Sequence, residues 1–177
     1  MCGIVGIYLK TKKFEKNLGK LLAGMLNNME SRGPDSAGFA IYKNSNKKEF
    51  KYSICINDFN FNTFKKDILK KTKNLKLYKY SDHVIIKTRE TPDSFIKFLN
   101  TEFPTVSIVG YGQSIEIFKQ VGNPKEVVKK FNLESFSGSH GIGHTRMATE
   151  SAITTDGSHP YSTGEDECLV HNGSLSN

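Results

Sequence analysis

MCGIVGIYLK, residues 1–10, sets β-branched Ile4, Val5 and Ile7 among small residues, which predicts a buried strand over Ile4–Leu9. Downstream of it, Phe14, Leu18, Leu21, Leu22, Met25, Leu26 and Met29 recur at the i, i+4, i+7, i+8 spacing of an amphipathic helix. Ser31-Arg32-Gly33-Pro34 stops that helix. SAGFAIY (Ser36–Tyr42) then reads as a strand, and FKYSICI (Phe50–Ile56) as another. Strand, helix and strand, each with one apolar face, imply a layered α/β or α+β domain.

From about Asn44 to Ser139 the texture turns Lys/Asn-rich. Predicted strands there are Lys76–Tyr80, His83–Thr88 and Thr105–Gly110, with helices near Phe64–Lys71 and Asp93–Leu99. Asn123-Pro124-Lys125-Glu126 has the form of an N-cap, a proline at N1 and a capping-box glutamate, opening a helix to about Phe131. Strands are also predicted at His140–Arg146 and Cys168–Val170. The 177 residues fit one domain, apolar residues make up 37%, and no apolar run approaches the ~20 residues that span a bilayer. Collagen-like, transmembrane and disordered classes are excluded.

The net charge of +7 suggests an acidic partner until it is located. Residues 41–100 carry thirteen Lys and Arg89 against six acids, whereas residues 131–177 have no Lys, one Arg and six acids. The lysine-rich stretch lacks a Gly-rich loop or interleaved aromatic residues, so it reads as a solvated surface and not as a nucleic-acid face. Cys2, Cys55 and Cys168 form no CxxC or Cys/His ligand pattern, so no metal is expected; free cysteines without a secretory segment suit a reducing compartment.

Three features carry chemistry. Once an initiator Met is removed, Cys2 has a thiol and a free α-amine whose ordinary pKa is about 7.7–8.0, so the amine can act as base for its own thiol. An ordinary small residue near an N-terminus fits the same pair of letters. Arginine is rare here, and Arg146 ends a predicted strand in Gly143-His144-Thr145-Arg146, where its planar fork could clamp a carboxylate. Arg32 lies in the first loop, and for both arginines a structural ion pair is the competing reading. His171-Asn172-Gly173 reads as a turn or as an oxyanion hole made of the Asn amide and the Gly N–H.

In order, MCGIVGI, SRGPDSAG (31–38), GHTRMAT (143–149), SHP (158–160) and HNGSLSN (171–177) resemble the class II glutamine amidotransferases. The resemblance covers residues 1–43 and about 138–177. It implies an α+β fold, the αββα sandwich of N-terminal-nucleophile hydrolases, with residues 44–138 as an inserted α/β segment. It also implies glutamine as substrate, with Cys2 as nucleophile, Asn172 and Gly173 as oxyanion hole, and Arg146 and Thr149 as contacts to the substrate. Arg32, Gly33, Asp35 and His159 would be supporting residues, and His144 and His171 structural ones. The wording GIGHTRMATESAITT and CLVHNGSLSN, with Glu150 after the Ala-Thr pair, is most similar to the amidotransferase subunit of N-methylglutamate synthase and to the glutaminase part of glutamate synthase. That branch implies a cytoplasmic glutaminase with no cofactor of its own, passing ammonia to glutamate-synthase-like partner subunits, one of which carries FMN, with no nucleic acid and no membrane. A non-catalytic glutamine-binding regulatory relative of the same fold is the alternative. The family's Asp for the substrate amine has no counterpart before Asn177, so a C-terminally incomplete sandwich is expected, inactive or weakly active alone.

Overall fold

The computed structural model describes residues 1–43, 48–57, 59–148 and 152–173. Its first sheet is antiparallel, in the order β1 (Gly3–Tyr8), β8 (His140–Arg146), β2 (Ser36–Tyr42), β7 (Ile115–Val121). On β2, Ala37, Phe39 and Ile41 point to one face, and α1 (Leu18–Asn28) covers that face with Leu18, Leu22, Ala23 and Leu26. Phe39 meets Phe118, Phe131 and Phe136 there with ring centroids 5.2–6.1 Å apart. α4 (Pro124–Lys130) joins the same core through Val127 and Val128, and its expected capping box between Asn123 and Glu126 is formed.

Two early expectations shift. The helix does not begin at Phe14, which lies in a 3-10 turn, Lys12–Asn17, that buries no residue. Phe14 fits the apolar period but stays outside the core and is 48% exposed. The first strand is half-buried instead of buried: Val5 faces α1, while Ile4 and Tyr8 are 43% and 68% exposed on the opposite face. Among the described residues, β1 is the outer strand of its sheet and pairs only with β8.

A second antiparallel sheet runs in the order β4 (Lys76–Tyr80), β5 (His83–Thr88), β3 (Phe50–Cys55), β6 (Ser107–Gly112). With α2 (Phe61–Lys71) and α3 (Pro92–Glu102) it completes a βαββαβ unit, the split βαβ arrangement. Both helices lie on one face, where Phe64, Ile68, Phe95 and Leu99 close over Tyr52, Ile54, Val84 and Ile86. This unit grows out of a hairpin. Tyr42 of β2 pairs with Ile115 of β7, and the Lys43 N–H donates to the Ser114 carbonyl at 3.0 Å. Residues 44–138 therefore divide: β3 to β6 build the unit, while β7 and α4 return to the first sheet and its helical layer.

The other face of the second sheet meets β7. The Ile117 N–H donates to Ser53 Oγ at 2.9 Å, Lys51 pairs with the buried Glu116 at 3.4 Å, and Ile85 enters the first core. A short hairpin, β9 (Tyr161–Gly164) and β10 (Glu167–Leu169), follows. Asp166 in its turn accepts from the N–H groups of Gln113, Ser114 and Ile115 at 2.7–3.0 Å and from Ser114 Oγ at 2.8 Å, fixing the bend between β6 and β7. Among the described residues no helix is long and apolar enough to cross a membrane.

Candidate active site

Antiparallel register assembles the site at one end of the first sheet. Gly3 pairs with Thr145, and Ser36 pairs with Arg146, so the start of β1, the end of β8 and the start of β2 meet there. Cys2 thus lies at the strand end next to Arg146 in register. Its carbonyl accepts two hydrogen bonds, from Asn172 Nδ2 at 3.2 Å and from Arg32 Nε at 3.4 Å. The half-buried thiol donates weakly to the Met147 carbonyl at 3.9 Å. Residues 2, 32 and 172, far apart in sequence, are brought together.

The loop before β2 is shaped by close approach. A methyl group on Gly33 would come within 2.5 Å of the Thr145 oxygen and 2.6 Å of the Arg146 nitrogen, so this position needs a residue without Cβ. Asp35 then clamps the end of β8. Its N–H donates to the Arg146 carbonyl at 3.1 Å, and its carboxylate accepts from the Ala148 N–H at 2.7 Å. Arg146 is 9% exposed and donates from Nη1 to the Ala152 carbonyl at 3.2 Å. Thr149 lies outside the described residues.

His144 ties the segment carrying Asn172 to the sheet, donating from Nε2 to the His171 carbonyl at 2.9 Å. That bond puts the proton on Nε2. His159 stacks on His144 at 4.1 Å and against Tyr161 at 4.3 Å. Burial pushes the His159 pKa down to about 3, and neighbouring His144, Lys119 and Arg146 push the same way. His144 is lowered as well, chiefly by burial. Both rings are therefore neutral near pH 7, and neither is placed as a proton carrier. Gly173 has φ 151°, a conformation that side chains rarely tolerate.

Lys119 is a residue that sequence reasoning passed over. Buried on β7, it donates to the carbonyls of Asp156 and Ser158, both at 2.9 Å, and so holds the loop that leads into His159-Pro160. A lysine in this Lys/Asn-rich part of the chain reads as solvated, and only the flanking Ile117 and Phe118 hint at a buried strand.

The site thus presents a cysteine thiol at a strand end, an amide donor on that cysteine's own carbonyl and a nearly buried guanidinium in the neighbouring strand. Comparison with known proteins finds similarity to proteins named for glutamine amidotransferase or aminotransferase activity. The chain is 46% identical, over its whole length, to the "Glutamine amidotransferase-like protein GlxB" of Rhizobium meliloti (strain 1021), of which it covers 60%. A protein of Methanothermobacter thermautotrophicus, provisionally named a glutamine amidotransferase, is 33% identical over the whole chain, which covers 62% of it. The glutamine–fructose-6-phosphate aminotransferase of Methanococcus maripaludis is 40% identical over 76 residues, 42% of this chain and 13% of that protein. The chain therefore spans about three fifths of its full-coverage relatives. No family model matches it.

Proposed function

We propose that this domain is the glutaminase of a class II glutamine amidotransferase of the N-terminal-nucleophile type, working through a thioester on Cys2. The observation that carries the proposal is the meeting of Cys2 with Asn172 across the fold. Met1 is 74% exposed, which suits its removal. The freed α-amine takes the thiol proton as sulfur attacks the side-chain carbonyl carbon of glutamine. Asn172 Nδ2 has two hydrogens; one reaches the Cys2 carbonyl, and the other is available to the developing oxyanion with the Gly173 N–H. The C–N bond breaks, ammonia leaves with the amine's proton, and water then cleaves the thioester to glutamate. Arg146, with Thr149, holds the substrate carboxylate. Ammonia passes to a cytoplasmic glutamate-synthase-like partner of the N-methylglutamate synthase branch, whose subunits carry any FMN.

Covalent labelling by a glutamine-like electrophile tests this on the native protein. Intact mass should show loss of Met1 and one adduct at Cys2, absent in Cys2→Ser. Retained Met1, or an unlabelled Cys2, would overturn it.

A further inference from the structure

Away from this site, the inserted unit and the main sheet enclose a second polar cluster. Cys55 ends β3 and His83 begins β5, and the two are direct register partners. Asp82 precedes His83 in the β4–β5 turn. One donor atom from each of Cys55, Asp82 and His83 lies within 4.8 Å of the other two. His83 is wholly buried: Nδ1 is 3.0 Å from Asp82 Oδ1, while Nε2 has no hydrogen-bond partner among the described residues. The ring lies against Phe118 and Phe131, with centroids 6.0 and 4.9 Å away. Cys55 is also buried, its thiol donating to Asn57 Oδ1 at 3.2 Å. Cys55 and Asp82 both line a cavity of about 670 Å³ that also reaches Asn57, Thr105, Gln120 and Thr155.

We propose that Cys55, Asp82 and His83 form a binding site for a thiolate-preferring divalent transition-metal ion such as zinc, with a fourth position open to the cavity. The donor set of one sulfur, one nitrogen and one oxygen suits an ion of intermediate softness and disfavours calcium or magnesium. Bond lengths of about 2.0–2.3 Å in a tetrahedron separate donor atoms by about 3.3–3.7 Å, so the cluster closes onto an ion by moving about 1 Å. Lys130 stays on Asp82 Oδ2 at 2.8 Å, while Oδ1 exchanges its 3.0 Å contact with His83 Nδ1 for the metal. Binding forms the sulfur–metal bond as the Cys55 thiol releases its proton to solvent, with no change of oxidation state. No sequence spacing announces the site, because only the sheet register brings Cys55 of β3 to His83 of β5 and the adjacent Asp82. Three protein donors and one open position are the ligand count of a site that exchanges a water or small anion.

The test uses the reduced, chelator-treated chain titrated with cobalt(II). A thiolate-to-cobalt charge-transfer band should saturate at one ion per chain and be bleached by equimolar zinc. Cys55→Ser should abolish the band and His83→Gln should weaken cobalt binding at least tenfold, while Cys2→Ser and Cys168→Ser retain it. Because Cys55→Ser alters a buried position, its circular dichroism is compared with the parent, and His83→Gln stands as the independent variant. Absence of the band in the parent chain, its loss in Cys2→Ser or Cys168→Ser, or cobalt binding undiminished in His83→Gln would overturn the proposal.

Discussion

Gly33→Ala and Gly24→Ala make the same chemical change with opposite expected signs. At Gly33 the added methyl would stand 2.5 Å from the Thr145 oxygen and 2.6 Å from the Arg146 nitrogen, both backbone atoms of β8 that cannot swing aside. Overpacking of this kind costs about 1–3 kcal/mol, against a gain of about 0.4–1 kcal/mol from stiffening the unfolded chain. The net is a loss of up to about 2.5 kcal/mol. For a domain of this size each kcal/mol moves Tm by about 2–4 °C, so a drop of several degrees is expected. At Gly24, on the exposed side of α1, a methyl meets nothing within 4 Å. Removing a glycine from mid-helix stabilises by about 0.5–1 kcal/mol and should raise Tm by a few degrees. Thermal unfolding followed by circular dichroism reads both variants against the parent. A Gly33→Ala protein as stable as the parent, or a destabilised Gly24→Ala protein, would refute the view that close approach to β8 makes position 33 a glycine.

Other consequences concern buried polar groups. The folded His159 binds its proton only near pH 3, against an ordinary value of 6.5. The unfolded chain therefore binds more protons in between, and stability, complete above about pH 6.5, should fall as pH drops toward 3. His159→Gln should flatten this dependence in urea titrations at a series of pH values. Lys119→Met leaves the buried Ser158 carbonyl without its donor and should cost about 1–3 kcal/mol, read as a lower denaturation midpoint. Burial opposes ionisation of Asp166, but hydrogen bonds from Ser114, Ile115 and Gln113 outweigh it and hold its pKa below 3.8. Asp166→Ala should therefore destabilise the protein above that pH, and its deficit should shrink as the parent's carboxylate protonates in acid.

The elements easiest to read in the sequence were those whose local chemistry and tertiary role agree. SAGFAIY is uninterrupted by charge and forms β2 over the expected residues; Asn123-Pro124 starts α4 with its capping box in place. β7 stayed hidden because Glu116 and Lys119 look like surface residues. Both are buried, Glu116 against Lys43 and Lys51 and Lys119 against loop carbonyls, and such long-range partners leave no local signature. β9, four residues of Tyr, Ser, Thr and Gly, looks like a loop until the Asp166 turn is seen. At the candidate site, the motifs nominated Cys2, Arg32 and Asn172, but local patterns could not tell that the latter two reach one carbonyl. The Cys55–Asp82–His83 cluster was illegible for the same reason: its proximity is a product of strand register.

The pairing of Tyr42 with Ile115 makes the whole βαββαβ unit the tip of a hairpin. Chain can be added or removed at a hairpin tip without rethreading any other strand, so this unit is detachable in topology even though it is integrated in packing. A short turn joining Lys43 to Ser114 would keep the β2–β7 ladder, and the closing loop would be shorter and entropically cheaper. Such an excision would expose the flank of Phe118, where Tyr80 and His83 now rest, and the side of β7 where Ile117 meets Ser53 and Glu116 meets Lys51. The unit is thus a module by connectivity and a wall of the first core by contact. A protein engineer trimming it would have to repaint that wall with polar residues.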